Sequence, residues 1–133
     1  DVDVIKIGGK VQVGNVIEWI EDIVEPVIVV GKFREAYEKY LNENKKTLVM
    51  VIGLEKLILA SEIIPKNVHV MTWLVSRYAG DPRRLSVLFV KRYAFDKGNQ
   101  ELLGLLEDIS TTVIKISSKE KTTEFNIVKS IEP

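Results

Sequence analysis

The residues most able to support chemistry stand where an apolar run gives way to a helix-like segment. Five consecutive large apolar residues, Leu48 to Ile52, end at Gly53. Such a run is typical of a central strand in a parallel sheet that is covered on both faces by helices. Because ligands bind beyond the carboxyl ends of such strands, the sequence predicts a binding site at Gly53, Leu54 and Glu55. Glu55 is the candidate catalytic carboxylate.

Four basic residues are the second set of candidates, for contact with a phosphate group or with a partner. Arg83 and Arg84 follow a Gly-Asp-Pro turn, where an arginine can reach another subunit, although two arginines in a turn are also typical of a solvated loop. Lys91 and Arg92 follow an apolar run that predicts a strand over residues 85–90. Aromatic residues at positions 93 and 95 complete a basic and aromatic cluster. If this cluster is exposed, it could bind a nucleic acid or a partner; otherwise the two aromatic residues belong to the edge of the core.

Composition excludes several kinds of chemistry. The chain has no cysteine, which excludes disulfides, thiol catalysis and thiolate metal sites, and one histidine, which argues against a zinc or haem centre. We therefore predict no metal site. The 19 basic and 19 acidic residues leave no net charge that would indicate a nucleic acid. No apolar run is long enough for a membrane span, so we expect a cytoplasmic protein without a membrane partner. Abundant Ile, Val, Lys and Glu beside two glutamines are typical of heat-adapted proteins.

The first half of the chain alternates between apolar runs and amphipathic stretches. Residues 2–7 predict a strand, and residues 10–13 would pair with it as a hairpin across two glycines. Residues 16–23 predict a short helix that ends at Pro26, and residues 27–30 predict a buried strand. Over residues 33–41 the apolar positions fall at i, i+3, i+4, i+7 and i+8, which predicts a clear amphipathic helix.

The second half predicts helices at residues 54–63 and 102–109, with a further helix capped by Asn67 between them and Asn99 as the cap of the last one. The final residues, 112–116 and 123–131, alternate around a polar turn. They predict an antiparallel hairpin at the edge of the sheet, with Phe125, Ile127 and Ile131 pointing inward. The fold class is therefore α/β: one domain over residues 1–133, with a mainly parallel sheet sandwiched by helices and a C-terminal antiparallel hairpin.

This order of elements resembles the second half of the RecA/KaiC-like core of P-loop nucleotide-binding proteins. In that family a strand like Leu48 to Ile52 carries the Walker B element, and a helix, a strand, another helix and a terminal hairpin follow. The stretch from Leu106 to Ile116 is similar to the family's closing helix-to-strand step, and Phe125 to Ser130 is similar to its last strand. More narrowly, Val4 to Gly9 and Val51 to Lys56 are similar to segments of uncharacterised archaeal proteins regarded as diverged RecA-like domains.

The resemblance implies a Walker A loop, Gly-x-x-x-x-Gly-Lys-Ser/Thr, which holds phosphates through its backbone N–H groups. The two Gly-Lys pairs of the chain, at residues 9–10 and 31–32, lack the first glycine and the hydroxyl residue. The loop is therefore expected upstream of Asp1, which makes the chain the C-terminal part of a longer RecA-like domain. At the Walker B position Gly53 offers no carboxylate, and Glu55 is expected to be a solvated residue of the first helical turn.

Three functions are compatible with these features. The first is a domain that has lost nucleotide hydrolysis and acts in regulation or in protein interaction, with a partner or by self-association. The second is a P-loop ATPase, in which an upstream Walker A loop and Glu55 would hold ATP and Mg²⁺. The third is a nucleic-acid-associated module that uses Lys91, Arg92 and the lysines of the hairpin. The zero net charge ranks the third last.

Overall fold

The computed structural model describes residues 1–60, 70, 73–95 and 100–131. In chain order its elements are β1 (Asp3–Ile7), β2 (Asn15–Ile20), α1 (Pro26–Glu43), β3 (Thr47–Ile52), α2 (Leu54–Ala60), β4 (Arg84–Phe89), a 3-10 helix (Arg92–Phe95), α3 (Gln100–Ile109), β5 (Thr112–Lys119) and β6 (Thr122–Ser130). Residues 73–77 are also helical. The expected caps Asn67 and Asn99 and the helical residues 61–63 lie outside these ranges. None of the described helices is both long and apolar enough to cross a membrane.

The strands form three two-stranded sheets. β1 pairs with β2 in parallel, β3 pairs with β4 in parallel, and β5 pairs with β6 as an antiparallel hairpin. The fold is thus mixed α/β with parallel pairs and a C-terminal hairpin, as the sequence predicts. The mainly parallel sheet sandwiched by helices, which the order of elements also predicts, is not confirmed within the described ranges.

The link between β1 and β2 is the first place where the sequence prediction is wrong. Neither the hairpin strand over residues 10–13 nor the helix over residues 16–23 forms, because the chain turns back and continues parallel to β1 as β2. Gly14 makes this possible with a positive φ of 69°. A Cβ at Gly14 would lie only 2.7 Å from the carbonyl oxygen of Val2, which accepts a hydrogen bond from the Asn15 N–H. A glycine-rich segment that suggests a hairpin therefore serves a parallel crossover.

The predicted strand over residues 27–30 is also wrong, because these residues form the first turns of α1. Pro26 lies at the start of the helix, where its missing N–H leaves no hydrogen bond unmade. Val29 and Val30 are buried, as are Tyr37 and Leu41 further along the same helix. The amphipathic helix predicted over residues 33–41 is confirmed, but it begins two turns earlier than its apolar stripe indicates.

Two buried clusters hold the helices against one face of the β3–β4 pair. The first contains Val30, Leu54, Phe95, Leu102 and Leu106, with Val51 and Leu88 packed on it from the strands. The second contains Tyr37, Leu41 and Tyr78, with Val49 packed on it. The predicted β3, α2, β4, α3 and hairpin are confirmed within about three residues.

Two sheet faces remain uncovered, which contradicts two expectations. The outward face of β3 and β4 carries six large apolar side chains that are 39% to 79% exposed: Leu48, Met50, Ile52, Leu85, Val87 and Phe89. The prediction that β3 is covered on both faces is therefore wrong for the described residues. The hairpin face, defined by Ile114, Ile116, Phe125 and Ile127, is 52% to 70% exposed. Phe125, Ile127 and Ile131 thus do not point inward, because no described element packs on them.

Candidate functional site

The carboxyl ends of β3 and β4 lie side by side, since the register pairs Ile52 with Phe89. β3 continues into α2, and β4 continues into the 3-10 helix. Leu54 at the start of α2 and Phe95 at the end of the 3-10 helix belong to the same buried cluster. The structure therefore brings the predicted site at residues 53–55 and the basic pair at residues 91–92 to one edge of the parallel pair. Open α/β sheets bind their ligands at this edge.

Gly53 forms the turn between β3 and α2. Its φ is +82°, a conformation that residues with a side chain rarely adopt, and its carbonyl oxygen accepts a hydrogen bond of 2.9 Å from the Lys56 N–H. A Walker B type acid at this position would have to adopt the same backbone conformation. The glycine is thus explained by the turn, and the end of β3 carries no carboxylate.

Glu55 lies in the first turn of α2, as predicted, but the expectation that it is solvated is wrong. The residue is only 5% exposed. α2 contacts the 3-10 helix, and this packing turns both Leu54 and Glu55 away from solvent. The Oε2 atom of Glu55 is buried and has no hydrogen-bond partner among the described residues. A buried carboxylate oxygen without a partner is costly, and such groups are found more often at functional sites than elsewhere.

Lys91 and Arg92 are exposed at the same edge, and neither forms an ion pair with another described residue. The two aromatic residues that follow Lys91 and Arg92 lie in the 3-10 helix and differ in burial. Tyr93 is 70% exposed, whereas Phe95 is fully buried in the core. The exposed basic and aromatic cluster therefore consists of Lys91, Arg92 and Tyr93. Phe95 packs in the core and holds the 3-10 helix in place.

Arg83 lies at the opposite, amino end of β4 and is bound within the chain. Its Nη1 donates to Glu38 Oε2 at 3.0 Å and to Asn42 Oδ1 at 2.8 Å, and its Nη2 donates to Asp81 Oδ2 at 2.6 Å. Hydrogen bonds from the side chain and the backbone N–H of Arg83 lower the pKa of Asp81 to about 2. Hydrogen bonds from Arg83 and from Tyr78 likewise lower the pKa of Glu38.

Arg84 is held by two tyrosines. Its Nη2 donates to the Tyr78 carbonyl oxygen at 2.6 Å, its Nη1 donates to the Tyr37 hydroxyl at 3.2 Å, and its guanidinium lies over both rings. Tyr78 in turn donates to Glu38 Oε1 at 2.9 Å. Burial, with a smaller contribution from this hydrogen bond, raises the pKa of Tyr78 to about 12. Arg83 and Arg84 thus join α1 to the start of β4, and the structure does not bring them to the edge that carries Glu55.

A cleft of about 420 Å³ opens along α1, lined by Val27, Val30, Gly31, Arg34, Val70 and Trp73. Its α1 residues fall at i, i+3, i+4 and i+7, so they form one helical face. The guanidinium groups of Arg34 and Arg77 lie 6.0 Å and 5.5 Å from the Trp73 ring. Val30 belongs both to this cleft and to the buried cluster that contains Leu54.

No group of three or more His, Cys, Asp or Glu side chains converges within the described ranges. Glu55 lies at the carboxyl edge of β3, and Lys91 and Arg92 are exposed at the carboxyl edge of β4. This arrangement offers an anion or a partner surface two positive charges, from Lys91 and Arg92.

A family model described as a Pyrococcus protein of unknown function, DUF257, matches residues 1–133. The chain belongs to this family. The comparison of the DUF257 chain with curated proteins gives no match. A solved structure of a protein from Pyrococcus horikoshii OT3 is similar to it, with a TM-score of 0.77 and 26% sequence identity. The match covers 99% of the DUF257 chain and 60% of that chain, so the DUF257 chain spans three-fifths of the length of this neighbour.

These comparisons confirm the expected resemblance to an uncharacterised archaeal family, and the Pyrococcus relatives agree with the heat-adapted composition. Neither comparison names a RecA-like or KaiC-like protein.

Sequence reasoning missed the contacts between Glu38, Tyr78 and the two arginines. Tyr78 lies two residues before the Gly-Asp-Pro turn, and Glu38 lies within the predicted amphipathic helix over residues 33–41, so the sequence contains the residue types. Periodicity shows which face of a helix is apolar but not which turn packs against it, and the pairing of α1 with the start of β4 depends on that packing.

Proposed function

We propose that this DUF257 chain is a diverged RecA-like domain that does not hydrolyse nucleotide and acts in protein interaction by self-association. The order of parallel strand, helix, parallel strand, helix and closing hairpin supports the RecA-like part. The single observation that carries the interaction part is the exposed hairpin face of Ile114, Ile116, Phe125 and Ile127. Monomeric proteins rarely expose contiguous apolar patches of this kind.

The loss of hydrolysis is supported by the end of β3. Magnesium in a P-loop enzyme needs an acidic residue at the end of the Walker B strand, and Gly53 occupies this position in a turn conformation suited to glycine. Glu55, the nearest acid, is packed into the core beside Leu54. A carboxylate in that position cannot reach a hydrated ion without rearrangement of α2.

The hairpin face is suited to a second copy of the same chain. Its register places Ile114 beside Ile127 and Ile116 beside Phe125, so four apolar side chains form one uncharged face. An isologous contact needs only one self-complementary patch, and an uncharged patch brings no like charges together across the two-fold axis. Lys129 Nζ donates to the carbonyl oxygens of Glu107 and Asp108, and these hydrogen bonds hold the hairpin against the end of α3.

Sedimentation of the full-length protein with Ile127→Lys tests self-association. We expect the wild type to sediment as a dimer or larger closed assembly at micromolar concentration, and the variant to sediment as a folded monomer. Asn126→Lys is the matched control, because Asn126 is exposed and points to the other face of β6. The proposal fails if the wild type is monomeric, or if both variants leave the assembly unchanged.

Turnover of ATP by the full-length protein tests the loss of hydrolysis. We expect no magnesium-dependent release of phosphate above the buffer rate. Measurable turnover that Glu55→Gln abolishes, with unchanged thermal unfolding, would overturn this part of the proposal and leave the sedimentation result unaffected.

A P-loop ATPase is the second candidate, because the Oε2 atom of Glu55 is buried without a hydrogen-bond partner among the described residues. A carboxylate in this state at the carboxyl edge of a parallel pair can be completed by a ligand. Calorimetric titration with ATP, with and without Mg²⁺, distinguishes the two candidates. Magnesium-dependent binding favours the ATPase, and the absence of heat at two temperatures favours the interaction domain.

A further inference from the structure

The outward face of β3 and β4 is a second apolar surface, and its residue pattern differs from that of the hairpin face. Register places its six side chains in three cross-strand pairs: Leu48 with Leu85, Met50 with Val87, and Ile52 with Phe89. No charged or polar side chain interrupts these pairs. The face therefore has the composition of a protein core although solvent reaches it.

The alternation of β4 is the reverse of that expected for a strand with one solvent face. Arg84 and Ser86 lie on the inner side, and the Oγ atom of Ser86 is buried without a hydrogen-bond partner among the described residues. Leu85, Val87 and Phe89 lie on the outward side. A strand that exposes one face to water normally places its polar residues on that face. The more apolar side of β4 is thus the side that no described element covers.

We propose that the outward face is covered by an amphipathic helix from a further part of the same polypeptide. About two-fifths of the Pyrococcus horikoshii chain lies outside its match to this chain, so the relative has additional polypeptide that can supply such an element. Parallel strands are usually covered on both faces by helices of their own domain, whereas antiparallel hairpins often have one free face. This difference assigns the outward face to the same polypeptide and the hairpin face to a second copy.

The dimensions of the face define the helix that fits it. The outward residues of β3 span about 13 Å along the strand, which corresponds to about nine residues of α-helix. A helix laid on the two strands would contact all three cross-strand pairs with one apolar stripe. Its stripe would have spacing i, i+3 or i+4, and i+7, without a charged residue, because the face offers no partner for a charge.

Cysteine accessibility in the full-length polypeptide tests this inference. Residues 1–133 contain no cysteine, so Met50→Cys places a single reporter on the outward face once any cysteine elsewhere is replaced by serine. Lys46→Cys, just before β3 and exposed, is the matched control. Both variants are alkylated with iodoacetamide over a range of protein concentrations, and thermal unfolding verifies that each is folded.

We expect Met50→Cys to react at least about 100-fold more slowly than Lys46→Cys, because a side chain within a packed core reacts only when the structure opens. Protection that is independent of protein concentration supports cover by the same polypeptide. Equal rates for the two variants would show an open face and overturn the inference. Protection that disappears on dilution would also overturn it, because a second copy would then be the cover. If Met50→Cys fails to fold, Val87→Cys provides the same comparison.

A photo-cross-linking side chain in place of Phe89 identifies the covering segment. The expected product is an intramolecular link to a peptide outside residues 1–133, at positions spaced by three or four residues. A link between two polypeptides, or a link within residues 1–133, contradicts the inference. Because Ile127→Lys alters only the hairpin face, the sedimentation experiment and this one can fail independently.

Discussion

Replacement of Arg83 by methionine decides whether this arginine supports the fold or is held ready for another molecule. Its guanidinium contacts Asp81, Glu38 and Asn42 at 2.6 to 3.0 Å. These contacts join α1 to the turn before β4, across more than forty residues of sequence. A free arginine that reaches another subunit would have no such set of internal partners. We therefore expect Arg83→Met to destabilise the intact protein.

The magnitude depends on how much solvent reaches each contact. The side chains of Arg83 and Glu38 are 31% and 30% exposed, so this pair contributes at the level of a screened surface pair, about 0.5 kcal/mol. The Asp81 side chain is only 13% exposed and takes bonds from both Nε and Nη2 of Arg83. Hydrogen bonds to charged groups at such sites contribute about 1.5 kcal/mol. The expected loss in the free energy of unfolding is therefore about 2 kcal/mol.

Urea unfolding at pH 7 measures this loss. With a slope of about 2 kcal/mol per molar urea, the midpoint should fall by about 1 M while the slope stays constant. Arg83→Lys should lose about half as much, because lysine keeps the charge but not the two-pronged geometry. Arg92→Met is the control, and we expect it to change the free energy of unfolding by less than about 0.5 kcal/mol, since Arg92 is exposed and unpaired among the described residues. An Arg83→Met variant as stable as this control would refute the reasoning.

Three further predictions concern the same fold. The stability advantage of the wild type over Arg83→Met should be constant above about pH 5.5 and should shrink as the pH falls. Arg83 lowers the pKa of Glu38 below its ordinary value of 4.5 and that of Asp81 from 3.8 to about 2, so protonation of these carboxylates at low pH removes the stabilisation; urea midpoints between pH 2 and 7 measure this. Gly14→Ala should lower the free energy of unfolding by about 2 kcal/mol, because the added Cβ would clash with the Val2 carbonyl oxygen. Gly31→Ala should raise it by about 0.5 kcal/mol, because this position lies inside α1 with open space around the added Cβ. Shifts of the same sign in the two thermal midpoints would contradict this. Lys129→Met should lower the free energy of unfolding by about 0.7 kcal/mol, because it removes a cation from the carboxyl end of α3. If this loss is electrostatic, the difference between wild type and variant should become smaller in added salt.

The sequence predicts the elements whose periodicity agrees with their burial. α2 and α3 lie close to their predicted positions because their apolar residues face the inner core, and β3 and β4 do so because each is an apolar run of strand length. Residues 27–30 are the contrary case. Four β-branched residues in a row suggest a strand, but Pro26 fixes the first helical turn and the packing of Val29 and Val30 outweighs their intrinsic preference.

The sequence predicts where the candidate site lies but not whether its carboxylate is buried. The strand-to-helix step at residues 53–55 follows from the sequence, as does its proximity to Lys91 and Arg92 at the end of the next strand. The burial of Glu55 does not, because it depends on α2 packing against the 3-10 helix. Whether a residue in the first turn of a helix is buried depends on which other element packs against that turn. The sequence of the turn does not identify that element.

The two uncovered faces show how a wrong prediction about burial can still be informative. β6 alternates between polar and apolar residues, with Glu124 and Asn126 on one side and Phe125 and Ile127 on the other, so its sequence requires cover on one side only. β3 has apolar residues on both sides from Leu48 to Ile52, so its sequence requires cover on both. The described residues supply one of these two covers. The proposed helix on the outward face would explain the hydrophobic pattern of β3. The exposure of Met50 in the full-length polypeptide distinguishes this explanation from a strand that tolerates solvent on an apolar face.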